Sequence, residues 1–237
     1  MPKLTLDGLV SQLQAALGSD LRAVAVYGSA ASGDHVSKRS DVNVLVIVDA
    51  LPSAKHPGVS AAMVAWSESG QSPPLLLTTD EWRGSSDIFA MEYADILERH
   101  RLLFGALPDG VRVDPHHLRL ELEHEAMGTL LQLRRGWLAA GTDGRRHQEL
   151  LEDSASALLA LFRAVVRLSG ATPPAESVAL CSDVARLAGT DATPFVKAVN
   201  HRRGGDVVKP AQAAAVVAGC VEGLQRVVRY LDQFKGR

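Results

Sequence analysis

The chain has 237 residues, 46% of them hydrophobic, which is enough to bury one large core or two modest ones. Its 25 basic and 27 acidic residues leave a formal net charge of −2. That balance argues against the broad electropositive surface that drives general adhesion to nucleic acid or anionic membrane.

No apolar run approaches the roughly 20 residues needed to span a bilayer, and residues 1–5 hold no apolar signal core. The expectation is a soluble, cytoplasmic protein with no membrane partner. Cys181 and Cys220 lie inside apolar helical patterns and are expected to be free buried thiols.

In chain order, Leu6, Leu9, Val10, Leu13 and Leu17 recur at helical spacing, with Gly18 as a stop. Residues 21–27 (LRAVAVY) predict a strand broken by Gly28. A small-residue loop over 29–33 and a polar stretch to Ser40 follow. Residues 42–48 (VNVLVIV) predict a strand that is apolar on both faces. A helix is expected over 59–68, a strand over 75–78, and a turn or short helix over 80–85. Residues 88–96 (IFAMEYADI) read as another strand, and 101–104 as a last short one before Gly105. The sum is a mixed α/β unit of roughly 110 residues.

After Asp109-Gly110 and Pro115 the pattern is helical only. Leu118, Leu122, Ala126, Leu130, Leu133 and Trp137 mark one face of a long helix stopped near Gly141. Residues 150–168 are apolar nearly all round beyond Asp153, as suits a central bundle helix. Pro173-Pro174 opens a shorter helix ending near Gly189. Thr193-Pro194 has the form of an N-cap followed by proline at the first helical position, and Pro210 opens a final long helix. The expected class is α+β, with a mixed-sheet domain over 1–112, a bundle of about five helices over 113–237, and a cleft between them.

The chemistry-bearing segment is 23–49, AVAVYGSAASGDHVSKRSDVNVLVIVD. A strand delivers Gly28, which permits close backbone approach, and Ser29, whose hydroxyl and amide can donate to a phosphate. The next strand carries Asp41 and Asn43, which face the same way because they are two residues apart. Phosphoryl and nucleotidyl transfer use magnesium to neutralise a triphosphate and stabilise the leaving pyrophosphate, and oxygen ligands hold the ion.

On these residues the segment resembles the polymerase-β-like nucleotidyltransferase superfamily, which includes the minimal and aminoglycoside nucleotidyltransferases. Its signature is a strand ending in Gly-Ser, followed about a dozen residues later by Asp-x-Asp or Asp-x-Glu. The motifs cover about half of the chain, and the helical half is similar to the bundles that accompany such domains. The resemblance implies a nucleotidyltransferase-type mixed sheet with flanking helices, and magnesium-dependent transfer of a nucleoside monophosphate from a nucleoside triphosphate to an acceptor. Gly28 and Ser29 would grip the phosphates, and Asp41 would bridge metals as a catalytic carboxylate. A third carboxylate on a later strand would be Glu92, holding the catalytic metal or assisting deprotonation. Asp95 is the runner-up, its odd offset placing it on the opposite face of that strand. Lys38 and Arg39, just before Asp41, could reach the triphosphate. The bundle would supply part of the acceptor site and could carry a homodimer contact. The net charge favours a small molecule or protein acceptor over a nucleic acid.

Asn43 departs from the signature. An asparagine carbonyl can ligate magnesium as a neutral metal ligand, but the charge is gone. One unit of charge about 4 Å away changes the Coulomb energy by roughly 4 kcal/mol at an effective dielectric near 20, before solvation offsets much of it. A second reading therefore stands beside the enzyme: a catalytically degraded nucleotide-binding or antitoxin-like interaction module. Elsewhere, Asp34 and His35 read as solvated loop residues. His116-His117 lack the cysteine or clustered histidine that a zinc site needs. His124 with Glu121, Glu123 and Glu125 reads as a polar helix face, and His201-Arg202-Arg203 as a solvated basic loop.

Overall fold

The computed structural model describes residues 4–28, 31 and 42–234. Two compact units divide the chain, Met1–Asp114 and Pro115–Arg237.

The first unit is built on a four-stranded mixed sheet. Helix α1 (Leu6–Leu17) is capped by the Thr5 hydroxyl, which accepts from the Gly8 amide. Its Leu9, Leu13 and Leu17 are fully buried, each removal from water worth roughly 1.5–3 kcal/mol. Strand β1 (Leu21–Tyr27) pairs antiparallel with β2 (Asn43–Val48) on one side and with β4 (His100–Gly105) on the other. Strand β3 (Leu75–Thr78) adds to β2 in parallel, giving the order β3-β2-β1-β4. A parallel neighbour needs a crossover, and α2 (His56–Glu68) supplies it. Gly105 lets β4 close on β1. It has φ +64°, and a Cβ there would lie 1.9 Å from the Arg22 carbonyl oxygen.

The two sheet faces bury different sets. Val24, Val26, Val44, Val46 and Val48 pack with α1 and with Val59, Ala62 and Trp66 of α2. Ala23, Tyr27, Leu45 and Ile47 pack on the other face with Trp82, Tyr93 and Ile96. Trp82 belongs to α3 (Thr79–Gly84), which Thr78 and Glu81 start with a reciprocal capping box. Tyr93 and Ile96 belong to α4 (Ala90–Glu98).

That last element corrects an expectation. Residues 88–96 were expected to be a strand, yet 90–98 are helical. Ala90, Tyr93 and Ile96 recur every third residue and are the buried positions, whereas Ile88 and Phe89 are exposed. The density of apolar residues suggested a strand; their period is that of a helix.

In the second unit the described helices are α5 (Pro115–Ala140), α6 (Gly144–Leu168), α7 (Ser177–Ala188), α8 (Thr193–Arg203) and α9 (Pro210–Asp232). Helix α6 buries residues along most of its length, and Phe162 meets Phe195 of α8 edge-on at 4.8 Å between ring centres. Cys181 and Cys220 are free and buried, and burial pushes both thiols up to about 12.

Two details differ from the sequence expectation. Helix α8 begins at Thr193 rather than after it, because the Asp191 carboxylate accepts from both the Thr193 amide and hydroxyl. The segment 201–203 is the last turn of α8, not a solvated loop. His201 is buried, its Nδ1 accepting from the Val208 amide, and Arg202 donates to the Glu152 carbonyl at 2.9 Å.

Candidate active site

The residues that could do chemistry gather at the C-terminal end of β1. Asn43 opens β2 directly opposite Tyr27, and His100 opens β4 on the other side of it. The parity of β2 places Asn43 on the same face as Leu45 and Ile47, the face that α4 covers. Gly28 follows Tyr27 with φ +71° and turns the chain, the Ala31 amide donating back to its carbonyl at 3.1 Å. The dihedral favours glycine, and a Cβ on Gly28 would lie 3.2 Å from Asn43 Nδ2, a tight approach, and 3.8 Å from Asp95 Oδ2, which places both side chains beside the turn.

Helix α4 brings the acids. Glu92 and Asp95 are three residues apart, and on a helix that puts them on one side. Tyr93 and Ile96, their neighbours in sequence, anchor the helix in the core, Tyr93 stacking on Trp82 at 4.5 Å. Asp95 thereby reaches Gly28, while Glu92 reaches Tyr27, whose hydroxyl donates to Glu92 Oε1 at 2.5 Å. The earlier expectation that Asp95 faces away from Glu92 fails for the same reason that the strand did. Burial, the hydrogen bond to Glu92 and the charges of Glu92 and Asp95 hold the Tyr27 phenol well above its ordinary range. Tyr27 is therefore a hydrogen-bond donor here and not a base.

His100 steadies the arrangement. Its Nδ1 lies 2.8 Å from the Ile96 carbonyl oxygen, and because a carbonyl only accepts, Nδ1 carries the proton. The bond ties the last turn of α4 to β4. Tyr27 and His100 were not singled out from the sequence. The signal available for Tyr27 was a hydroxyl-bearing aromatic directly before the Gly28 turn.

Of the residues expected at the site, Gly28, Asn43 and Glu92 come together and Asp95 joins them. Ser29, Lys38, Arg39 and Asp41 lie outside the described residues. Asp49, which ends the chemistry-bearing segment, sits at the far end of β2, where its hydrogen bond and ion pair with Arg22 hold its carboxyl below the usual range. Among the described residues no three His, Cys, Asp or Glu side chains are placed to hold a metal ion. The donors that do gather, two carboxylates and an amide, are hard oxygen ligands of the type magnesium takes.

No family model matches the chain, and no curated protein does. A solved structure does: spectinomycin adenyltransferase AAD(9) from Enterococcus faecialis, with ATP and spectinomycin, superposes at a TM-score of 0.57. The match covers 93% of this chain and 100% of that one at 11% identity. At that identity the likeness is one of fold. The chain has a nucleotidyltransferase fold, a mixed sheet with flanking helices followed by a helical region. Among the described residues no helix is long and apolar enough to cross a membrane.

Proposed function

We propose that the protein is a nucleotidyltransferase that moves a nucleoside monophosphate from a nucleoside triphosphate to a small-molecule or protein acceptor. The observation that carries this reading is the convergence of Glu92, Asp95 and Asn43 on the Tyr27-Gly28 turn. The AAD(9) structure, which holds ATP and spectinomycin, supports a triphosphate and a small acceptor on this fold.

Glu92 is the base in this reading. Tyr27 occupies Oε1, so Oε2 is the atom that takes the acceptor proton. The acceptor oxygen then bonds to the α-phosphorus as the bond to the β-phosphate oxygen breaks and pyrophosphate leaves. Gly28 keeps the turn bare of a side chain, so that phosphate oxygens can approach the backbone, and Ser29 adds its hydroxyl. Asp41, Asp95 and Asn43 would hold magnesium, which supplies charge neutralisation for the triphosphate and the departing pyrophosphate.

Calorimetry with ATP, GTP, CTP and UTP, with and without magnesium, tests the reading, together with a transfer assay on Asp41→Ala. Magnesium-dependent binding with loss of transfer in the variant is expected. Transfer retained by Asp41→Ala would sink it.

Asn43 itself favours a second reading, a degraded module that binds nucleotide or a protein partner without turnover. In that case Asn43→Asp raises nucleotide affinity while the native chain shows binding and no transfer.

A further inference from the structure

The surface of α5 carries an apolar stripe that the bundle core does not use. Leu120, Met127, Leu131 and Leu138 are 50%, 43%, 44% and 71% exposed. A helix turns once in about 3.6 residues, so these spacings bring all four to one side, along a line of about 27 Å. Leu118, Leu122, Ala126, Leu130 and Leu133 occupy a different side of the helix and are the ones buried in the bundle. A single exposed leucine needs no explanation, but four aligned on one helix form a contiguous patch.

The stripe reads the same in both directions. Leu120 and Leu138 lie equally far from Thr129, as do Met127 and Leu131. A two-fold axis crossing the stripe between Met127 and Leu131, at the height of Thr129 but on the opposite side of the helix from it, would therefore lay the stripe on its own copy, Leu120 over Leu138 of the second copy and Met127 beside its Leu131. The charges that border the stripe obey the same axis. Glu121 and Glu123 lie toward the N-terminal end, and Arg134 and Arg135 toward the C-terminal end. Antiparallel pairing sets Glu123 against Arg134 of the second copy on one border; on the other, His124 lies nearest its Arg135, with Glu121 further round the helix. Parallel pairing would oppose like charges. Glu123 also accepts from Arg119 at 2.7 Å, and a carboxylate has room for both donors.

We propose that α5 is the interface of a two-fold homodimer, packed antiparallel against α5 of a second copy. Its occupant is another molecule of this chain, because sequence symmetry and charge complementarity both point to self-recognition. The inference does not depend on the catalytic reading.

Sedimentation velocity of the full chain over a concentration series tests it, with circular dichroism to check that each variant is folded. The native chain is expected to dimerise with concentration. Glu123→Arg should weaken the dimer at least about tenfold by setting two arginines together, and adding Arg134→Glu to the same chain should restore it. Leu131→Asp should also dissociate the dimer while leaving the bundle folded. A native chain monomeric across the series overturns the proposal. So does a Leu131→Asp dimer of native strength, or a double variant no tighter than Glu123→Arg.

Discussion

The hydroxyl of Tyr27 donates to Oε1 of Glu92 across 65 positions of sequence, joining the end of the central strand to the helix that lies over it. One carboxylate oxygen is thereby fixed, and in the proposed mechanism the other takes the acceptor proton. Tyr27→Phe keeps the ring and removes the donor. A hydrogen bond to a charged group contributes about 1.5–3 kcal/mol, so kcat should fall about ten- to a hundredfold. KM for the nucleotide should change little, because in the proposed mechanism Tyr27 positions Glu92 and does not itself meet the nucleotide. Steady-state kinetics of the variant separate the two; an unchanged kcat would remove Tyr27 from the mechanism.

Glu92→Gln and Asp95→Asn are close in shape to the native residues but should fail differently. The first removes the proposed base and should lower kcat about a hundred- to ten-thousandfold with nucleotide binding largely kept. The second removes a charge beside Gly28 and should weaken magnesium-dependent nucleotide binding, read by calorimetry. If both variants lost only binding, Glu92 would be a metal ligand and not a base.

Gly28→Ala forces a Cβ into the 3.2 Å gap before Asn43 and a side chain into a left-handed backbone. The strain is about 1–3 kcal/mol. The melting temperature should drop by several degrees and nucleotide binding should be lost with it. A thermal melt and one titration check both.

Three helices of the second unit start on carboxylates that accept backbone amides, and those bonds hold each acid below its ordinary value: Asp143, Glu176 and Asp191. A group whose folded pKa is depressed stabilises the fold above its unfolded pKa, and that stability is lost as pH falls through the folded value. The bundle should therefore hold its melting temperature down to about pH 5 and lose it progressively as the pH falls below the ordinary carboxylate range toward the depressed folded values. Asp143→Asn, which can still cap, should flatten part of that acid limb.

Cys181 and Cys220 are fully buried with thiols pushed up to about 12, so neither presents a thiolate to a reagent at neutral pH. Ellman's reagent should find no thiol in the native protein and both after denaturation. A rapid native reaction would mean that the bundle opens on the timescale of the assay.

Much of this architecture was legible in the residues. Strand β2 follows from its β-branched run, β1 and β3 follow from short apolar runs bounded by glycine, proline and polar residues, and the helices after Pro115 follow from regular apolar spacing. What escaped was local competition between two signals. In IFAMEYADI, aromatic and apolar density outweighed an Ala90, Tyr93, Ile96 period, and the facing of Glu92 and Asp95 was misread with it, because a strand separates the two where a helix joins them. Tyr27 was invisible as a site candidate for another reason: its partner Glu92 is distant in sequence, and only the packing of α4 on the sheet brings it near. His201 was misjudged because its neighbours in sequence are charged, while in the fold it is buried, with Glu152, distant in sequence, and the Val208 amide, seven residues on, beside its ring.

Helix α4 holds the two acids and their core anchors within nine residues. Tyr93 stacks on Trp82, and Tyr93 and Ile96 sit beside Glu92 and Asp95 on the same short rod. A cavity opened at Trp82 would tilt that rod and misaim both carboxylates at once. In a mutational scan read out by activity, the interior of this sheet face would thus score as if it were part of the catalytic apparatus. Only a parallel scan of abundance or melting would tell scaffold from chemistry.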